Sequence, residues 1–400
     1  MMTSNVLLEP LDVIYSNDPR PVEDGGFAQP AELQPQVIAG AWATQILEAG
    51  GYFADRNSAS AKSAAQAAGV PDPAGVPDAG GTPKFRLKGN GWWHPEMQQV
   101  YWPTPRHLLQ DADRPTANAL YPAFPALMDD CIDDGEGTLP LKLPSRSLEP
   151  SYGYISLDSL CKLFAAPPAP RVFLSVKPAS DFYVWEQRSG HTRAPNGVVM
   201  EGKLYSRPVM RPREHCVSGR RRVSQLAIFL EGDEKLVHSE ERRLMSLGGD
   251  GRQAIIHRKD ASDVQISLDS LKTKVKRGID EGLGLLLYLA TPAPFVHGWR
   301  PRTPDGMTML GAAVDRPITL SGWDVARQRP KPILSAAPAG SVYFYSVQNS
   351  EEAKEFVDTY HFAKSLCDSE KDYSAYGRLG YGLAITGVWD ASAAGNTRGV

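Results

Sequence analysis

The sequence predicts an α+β protein of two ferredoxin-like (RRM-like) domains, with insertions and a long basic hairpin. Three observations lead to this prediction. Apolar strand-like stretches alternate with stretches of helical periodicity. The order strand, helix, glycine-rich turn and strand occurs twice, around residues 226–256 and around residues 341–389. That order is the second half of a ferredoxin-like unit, a sheet with helices on one face. We therefore expect one domain over residues 1–259 and another over residues 260–400.

The first domain is expected to begin with a strand over residues 6–15, which ends at a turn rich in Asn, Asp and Pro. A helix over residues 36–53 follows, and its small residues permit close packing. Residues 55–83 are mostly Ala, Ser, Gly, Pro and Asp, and such a stretch buries too little apolar surface to offset its ordering entropy. The sequence therefore predicts a flexible insertion there.

The middle of the first domain combines an aromatic segment with an acidic one. Most aromatic side chains of residues 84–109 are expected in the core. Five carboxylates within residues 129–136 lack the ligand order and central glycine of an EF-hand, so a solvated acidic loop is predicted. A short helix is expected over residues 155–164, capped near Ser156.

A basic arm, residues 183–222, precedes the repeated unit. The arm contains nine cationic residues and only three glutamates, which is a surplus of six positive charges. The chain as a whole has a net charge of -3. The rest of the chain is therefore acidic, and the arm is a distinct cationic feature. The cationic residues are Arg188, Arg193, Lys203, Arg207, Arg211, Arg213, Arg220, Arg221 and Arg222.

Aromatic side chains lie between the charges of the arm, namely Tyr183, Trp185 and Tyr205. Rings that stack on bases, beside arginines that hold phosphates, are typical of proteins that bind single-stranded RNA. The pair Asn196 and Gly197 is a strong hairpin signal. We therefore predict a long basic hairpin that projects from the first domain and contacts RNA.

Two glycine-rich turns complete the repeated units. The first, Leu-Gly-Gly-Asp-Gly-Arg at residues 247–252, follows a charged segment, residues 240–247, that is predicted to be helical. The second, Leu-Gly-Tyr-Gly at residues 379–382, follows a strand over residues 341–345 and a helical stripe over residues 351–366, and precedes a strand over residues 383–389. Glycine permits positive φ and close approach of another backbone. Neither turn has the Gly-Lys-Ser/Thr sequence of a P-loop or Rossmann spacing.

Composition excludes several other classes of protein. The 400 residues suit two or three domains, and an apolar content of 42% supports ordinary cores. The four cysteines are far apart, which argues against a zinc knuckle or a disulfide framework and fits a reducing cytoplasm. The N-terminus lacks a basic signal region, and no apolar run has the length of a membrane span. No cofactor, metal or membrane partner is therefore expected.

Three motifs near the C-terminal half are specific in combination. They are Leu-Ser-Gly-Trp-Asp at residues 320–324, Arg-Pro-Lys-Pro at 329–332 and Pro-Ala-Gly-Ser-Val-Tyr at 338–343. They resemble motifs of the RAMP subunit that caps the crRNA 5′ end in Cmr-type (type III-B) CRISPR effector complexes. Further matches in the family's order are Glu-Pro-Leu-Asp-Val at 9–13 with Pro-Arg-Pro at 19–21, Tyr-Trp-Pro-Thr-Pro at 101–105, Gly-Lys-Leu-Tyr at 202–205 and both glycine turns.

The resemblance implies an RNA-binding subunit for antiviral defence, without a catalytic site of its own. The implied partners are the 5′ tag of the crRNA, the target RNA near the guide 5′ end, the large palm-domain subunit and the backbone RAMP subunit. The basic arm would be the hairpin thumb that bends the guide. The predicted RNA-binding residues are Arg20, Arg188, Arg193, Lys203, Tyr205, Arg207, Arg211, Arg213, Gly248, Gly249, Arg252, Lys331, Gly380, Tyr381 and Gly382.

Three alternatives stay open at this point. A RAMP endoribonuclease that processes crRNA would use a histidine as general acid or base, and the candidates are His191, His215 and His257. The equivalent subunit of a Csm-type complex would share the fold, the thumb and the glycine turns. A pure protein spacer would keep its RNA affinity when the arm is neutralised.

Overall fold

The structure is a computed structural model of the chain. It describes residues 2–16, 31–69, 85–113, 119–126, 138–142, 147–232, 243–249, 251–259, 262–324, 329–369 and 373–394. The described ranges form a mixed α+β fold of antiparallel sheets and six α-helices. The helices are α1 (Pro35–Ala49), α2 (Ala59–Ala68), α3 (Leu157–Phe164), α4 (Ser262–Asp280), α5 (Ser350–Tyr360) and α6 (Ser374–Arg378).

The strands fall into a larger set before α4 and a smaller set after it. The first set is β1 (Met2–Pro10), β2 (Phe85–His94), β3 (Gln99–Pro103), β4 (Leu108–Asp111), β5 (Ala119–Pro122), β6 (Phe124–Pro125), β7 (Leu141–Lys142), β8 (Leu148–Pro150), β9 (Tyr154–Ser156), β10 (Val172–Phe173), β11 (Val176–Lys177), β12 (Tyr183–Arg193), β13 (Val199–Pro212), β14 (Glu214–Val217), β15 (Arg220–Val223), β16 (Gln225–Gly232), β17 (Arg243–Ser246) and β18 (Gln253–Lys259). The second set is β19 (Gly284–Leu289), β20 (Met307–Ala313), β21 (Ile318–Leu320), β22 (Trp323–Asp324), β23 (Arg329–Pro330), β24 (Leu334–Ala336), β25 (Val342–Val347) and β26 (Ala384–Trp389).

Two sheets form the body of the protein. The larger has eight strands in the order β11-β9-β3-β2-β16-β1-β18-β17, and every neighbouring pair is antiparallel. The smaller has the order β20-β25-β19-β26, again antiparallel throughout. Four strands of the larger sheet have the same spatial arrangement as the four strands of the smaller sheet, when each set is counted in chain order. The two sets are β1, β2, β16 and β18 in the larger sheet, and β19, β20, β25 and β26 in the smaller one. In each quartet the first strand lies between the third and the fourth.

A shared apolar core joins the two sheets. Trp102 of β3 is fully buried, and its ring lies near Phe229 of β16 and Phe362 after α5. The Tyr288 hydroxyl of β19 donates to the Pro103 carbonyl oxygen at 2.6 Å. The aromatic side chains Trp92, Trp93, Tyr101 and Trp102 are all buried, which confirms the prediction that this segment is mostly core.

Several predicted elements are confirmed with adjusted ends. The first strand ends at Pro10 rather than near Tyr15, because the chain then leaves β18 and bridges to Met210 through Ile14. The helix expected over residues 36–53 is α1, and the one expected over residues 351–366 is α5, which ends at Tyr360. Helix α3 is capped as predicted, since the Ser156 hydroxyl accepts from the Ser159 amide at 3.3 Å.

Two predictions differ from the structure. Residues 243–246 form strand β17 against β18 instead of the helix expected over residues 240–247, and residues 240–242 lie outside the described ranges. In the predicted flexible insertion, residues 59–68 form helix α2, with Ser58 as N-cap and Gly69 as left-handed C-cap. Its alanines Ala61 and Ala65 pack with Leu47 and Tyr52, because small side chains allow close helix contact. Residues 70–84 and the acidic residues 129–136 are not described.

No helix within the described ranges is long and apolar enough to cross a membrane. The cysteines Cys161, Cys216 and Cys367 are free thiols.

Candidate nucleic-acid interface

The predicted basic hairpin is formed by strands β12 and β13. Tyr183 pairs with Pro212 at the stem and Arg193 with Val199 near the tip, which confirms the hairpin predicted from Asn196 and Gly197. Gly197 has φ +82°, and the Val198 amide donates to the Asn196 Oδ1 at 3.1 Å. A second, shorter hairpin of β14 and β15 follows, so the arm contains two hairpins rather than one.

The two faces of the long hairpin differ in exposure. Along β12, Trp185, Gln187 and His191 are exposed, whereas Glu186 and Arg188 are half-buried. Because side chains alternate across a strand, the half-buried residues share one face, and this face also includes the β13 residues Arg207 and Arg211. The half-buried face therefore brings three arginines toward the body of the protein.

Residues 11–15 connect this face of the hairpin with the large sheet. The Leu11 amide donates to the Gln253 carbonyl oxygen of β18 at 3.0 Å. Ile14 and Met210 exchange both backbone hydrogen bonds, at 2.7 and 3.0 Å. The segment is thus held between β18 and the hairpin stem.

Asp12 of this segment lies among three guanidinium groups. Its Oδ1 is 3.5 Å from the Arg188 Nη2 and 3.4 Å from the Arg211 Nη1, and its Oδ2 accepts from the Arg252 Nη1 at 2.5 Å. Glu186 is bound by both the Nε and the Nη2 of Arg211, the latter at 3.0 Å. We call Asp12, Glu186, Arg188, Arg211 and Arg252 the Asp12 cluster.

The charges in the Asp12 cluster affect each other's protonation. Burial alone would raise the pKa of Asp12, but the Val13 amide and the three arginines together hold it below its usual value. The hydrogen bond from Arg211 lowers the pKa of Glu186, and Glu186 in turn raises the pKa of Arg211. Both carboxylates are therefore ionised at neutral pH, and the three arginines retain one net positive charge.

The first glycine turn borders the same cluster. Gly248 has φ +78°, and a Cβ at this position would lie 2.9 Å from the Tyr15 carbonyl oxygen. The Arg207 guanidinium lies over the ring of Tyr15, with its Cζ 5.6 Å from the ring centroid. The turn itself is closed by a hydrogen bond from the Leu247 amide to the Arg252 carbonyl oxygen at 2.8 Å. The predicted residues Arg188, Arg207, Arg211, Gly248, Gly249 and Arg252 are thus brought together.

The second glycine turn is buried between the two sheets. A Cβ on Gly380 would lie 2.7 Å from the Leu87 side chain of β2, and one on Gly382 would lie 2.7 Å from the Ser365 hydroxyl. Tyr381 is fully buried, and its hydroxyl donates to the Gln34 Oε1 at 3.3 Å. The groups that come close to these glycines therefore belong to the protein itself, and the ring of Tyr381 has no exposed surface.

The other predicted residues lie apart from the Asp12 cluster. Arg193 is exposed near the hairpin tip, where its Nε donates to the His191 Nε2 at 3.1 Å, and Arg213 is exposed past the stem. The Lys331 amide donates to the Gly322 carbonyl oxygen at 2.8 Å. Arg20 and the side chains of Lys203 and Tyr205 lie outside the described part of the chain.

Asp12 and Tyr15 lie in this candidate site although sequence reasoning did not select them. Asp12 belongs to the Glu-Pro-Leu-Asp-Val motif, so a signal was present, but the motif alone does not reveal the three arginines around it. Those arginines come from the hairpin β12–β13 and from the first glycine turn, both far from Asp12 in sequence.

The three histidines proposed for an endoribonuclease lie on three different strands, β12, β14 and β18. The His257 Nε2 is 2.9 Å from the Glu9 Oε2, and the His215 Nε2 is 2.8 Å from the Ser224 hydroxyl. His191 is exposed on β12. Each of the three has a local partner of its own.

The chain is similar in structure to chains of solved complexes. No curated protein of similar sequence was found. Among solved structures, a chain of the cryo-EM structure of the Type III-B Cmr-beta bound to cognate target RNA and AMPPnP, state 1, is 13% identical with a TM-score of 0.47, over 94% of each chain. A chain of the Type III-B Cmr-beta bound to cognate target RNA has the same identity and TM-score, over 94% of this chain and 95% of that one.

The family comparison covers nearly the entire sequence. Residues 6–389 match the family model described as CRISPR-associated protein (Cas_Cmr3). This match confirms the resemblance to a Cmr-type subunit that the proline, glycine and tryptophan motifs indicated. The chain therefore belongs to the Cas_Cmr3 family of CRISPR-associated proteins.

Proposed function

We propose that the protein is a non-catalytic RNA-binding subunit of a type III-B effector complex in the cytoplasm. In this role it binds the 5′ tag of the crRNA and joins the large palm-domain subunit to the backbone RAMP subunit. The target RNA near the guide 5′ end is a further contact. Membership of the Cas_Cmr3 family supports a place in a Cmr-type assembly.

The convergence of the basic hairpin, the first glycine turn and the Asp12 cluster is the observation that carries the proposal. Four guanidiniums, those of the cluster and Arg207, face two carboxylates, which leaves two positive charges in one place. Arginine binds phosphate in a bidentate manner, and Gly248 and Gly249 carry no side chains that would keep a strand away. Phosphate contacts of this kind position RNA without reading its sequence.

The domain architecture fits the same proposal. We infer that each sheet is a ferredoxin-like unit, because both contain four antiparallel strands in which the first lies between the third and the fourth. In the second unit, α5 lies between the third and fourth strands, as that topology requires. The division near residue 259 follows from this inference.

The proposal is tested by RNA binding of two matched triple variants across a salt series. In the stem variant, Arg188, Arg207 and Arg211 become alanine. In the control, Arg220, Arg221 and Arg222, which are exposed on β15, become alanine and remove the same charge. Thermal unfolding of both variants verifies that they fold.

At low salt, we expect the stem variant to bind guide RNA that carries its 5′ tag at least about tenfold more weakly than the native protein does. Its salt dependence should become shallower by about 2 logarithmic units per decade, since each lost phosphate contact on a single strand removes about 0.7. The control variant should lose less RNA affinity than the stem variant. The native protein should bind untagged RNA more weakly than tagged RNA. Equal losses in both variants, or equal binding of tagged and untagged RNA, would argue against the proposal.

The non-catalytic part of the proposal has a separate test. Incubation of guide-precursor RNA with the full chain should leave the RNA intact. Cleavage that disappears in His191→Ala, His215→Ala or His257→Ala would instead support the endoribonuclease alternative.

A further inference from the structure

His94, Glu96 and His215 form a cluster that the RNA-binding proposal does not use. Each offers one ligand atom, and these atoms all lie within 4.8 Å of one another. His94 ends β2, Glu96 lies in the following turn, and His215 belongs to β14. Among the residues that the structure describes, this is the one group of histidine, cysteine and carboxylate side chains with such spacing.

The two imidazole rings are close together in a protected position. Their centroids are 4.4 Å apart, and the His94 ring packs edge-on against Phe182 at 5.7 Å. His94 is only 2% exposed. A surrounding shell of apolar side chains, which here also includes Tyr101, strengthens electrostatic interactions within a site.

The contacts of His215 leave one ring nitrogen toward Glu96. The His215 Nε2 lies 2.8 Å from the Ser224 hydroxyl oxygen, and that hydroxyl donates to the Asp181 carbonyl oxygen at 3.3 Å. The other ring nitrogen, Nδ1, lies 3.9 Å from the Glu96 Oε1.

The two imidazoles and the carboxylate place three ligand atoms around one point, all within 4.8 Å of one another. A cation at this point would contact one atom of each side chain.

We propose that His94, Glu96 and His215 bind a divalent transition-metal ion of the zinc type. Two imidazoles and one carboxylate are a known ligand set for Zn²⁺ with a water at the fourth position. Zinc–ligand distances of about 2.1 Å require the donors to approach to roughly 3.4 Å. Glu96 can make this movement because its side chain is 41% exposed in a turn.

The ion would connect the large sheet with the short hairpin β14–β15. It would fix His215, whose second nitrogen is already held by Ser224, and thereby the start of the hairpin that follows the basic stem. Spacing in the sequence could not reveal the site, because His215 is distant from the other two residues and no Cys-x-x-Cys or His-x-x-x-His pair is present around them.

Metal titration of the full chain tests the proposal. The protein is dialysed against a chelator and then titrated with Co²⁺, followed by its d–d absorption, and with Zn²⁺, followed by equilibrium dialysis and elemental analysis. We expect one ion per chain, displacement of Co²⁺ by Zn²⁺, and a higher unfolding temperature with Zn²⁺.

Variants locate the ion. Glu96→Gln, an exposed and nearly isosteric change, and His215→Gln should abolish the cobalt spectrum and the thermal shift. Ser224→Ala should weaken binding by about tenfold, because it removes a group that orients a ligand. His297→Asn, at an exposed histidine of the other half, should bind like the native protein. No metal bound by the native chain, or native binding by both Glu96→Gln and His215→Gln, would overturn the proposal.

Discussion

At the scale of single residues, Gly248 is the position where backbone conformation and close contact act together. Its φ of +78° disfavours any side chain, and the Tyr15 carbonyl oxygen occupies the space of a Cβ. The neighbouring glycines separate these two effects. Gly251 has φ +64° with open space around it, whereas Gly249 makes only ordinary contacts with Tyr15 at 3.8 Å or more.

We expect Gly248→Ala to lower the free energy of unfolding by about 2–3 kcal/mol, through the left-handed penalty and the displacement of Tyr15. Gly251→Ala should cost about 1 kcal/mol from the backbone alone, and Gly249→Ala should be within about 0.5 kcal/mol of the native protein. Urea unfolding of the three variants measures these changes in the free energy of unfolding. Equal costs for Gly248→Ala and Gly251→Ala would mean that the Tyr15 contact is unimportant.

In the proposed interface, Asp12 and RNA compete for the same three arginines. Asp12→Asn removes one negative charge and weakens the hold on Arg188, Arg211 and Arg252. We expect guide-RNA affinity to rise by roughly threefold to tenfold at low salt, with the gain shrinking at high salt as charges are screened. Asp305→Asn, at an exposed aspartate in the other half, removes the same charge and should change affinity little. Lower affinity of Asp12→Asn would show that Asp12 orients the arginines rather than occupying them.

At the scale of elements, His361 connects helix α4 with strand β26. Its Nε2–H donates to the Leu268 carbonyl oxygen at 3.1 Å, and its Nδ1 accepts from the Thr386 amide at 3.1 Å. Burial lowers the pKa of His361 to about 4, although the Leu268 carbonyl partly opposes this. The folded protein therefore holds a neutral ring that the unfolded chain protonates near its ordinary pKa of about 6.5.

This difference predicts how stability depends on pH. Because the unfolded chain binds the proton first, stability is fully present above about pH 6.5 and is lost as the pH falls toward 4, by on the order of 3 kcal/mol. The buried His107, with its pKa lowered to about 3 by burial, contributes in the same direction. His361→Gln should therefore be less stable at neutral pH but lose less stability between pH 7 and pH 4. Parallel pH profiles from urea unfolding of the two proteins would contradict this.

Elements with strong local signals could be predicted from the sequence. The hairpin β12–β13 follows from Asn196 and Gly197, and helix α3 follows from the Ser156 cap. Strand β17 could not, because four residues with buried Met245 and exposed Leu244 fit either periodicity, and pairing with β18 decides between them. Helix α2 was missed because its alanines bury little area each, and only α1 beside them makes that area sufficient.

The candidate site was predictable in its parts and not in its assembly. The sequence indicates the arginines of the arm and the glycines of the turn separately. Their meeting around Asp12 depends on the pairing of β1 with β18 and on the bridge between Ile14 and Met210, both contacts between residues far apart in the chain. The burial of Tyr381 likewise depends on the other half of the molecule.

At the scale of the whole molecule, the two sheets are bound by a common core. Besides the contacts of Trp102, the Arg106 amide donates to the Gly340 carbonyl oxygen at 2.9 Å, and Lys88 lies over the Phe362 ring with its Nζ 4.9 Å from the centroid. Gly89 of β2 leaves space for the Leu383 side chain at the start of β26. If one half unfolded alone, these contacts would be lost and large apolar surfaces would be exposed to water. Partial unfolding therefore costs a large free energy.

We therefore expect the full chain to unfold in a single cooperative transition, even though the strand orders suggest two units. Phe362→Ala removes a ring that packs on Phe229 at 5.0 Å and on Trp102 at 6.1 Å, and it should cost about 3–5 kcal/mol. Calorimetry should show that this loss moves the whole transition to lower temperature, while Phe53→Ala, at a side chain 53% exposed, should leave it nearly unchanged. Two transitions, of which Phe362→Ala shifts one, would mean that each sheet folds on its own core.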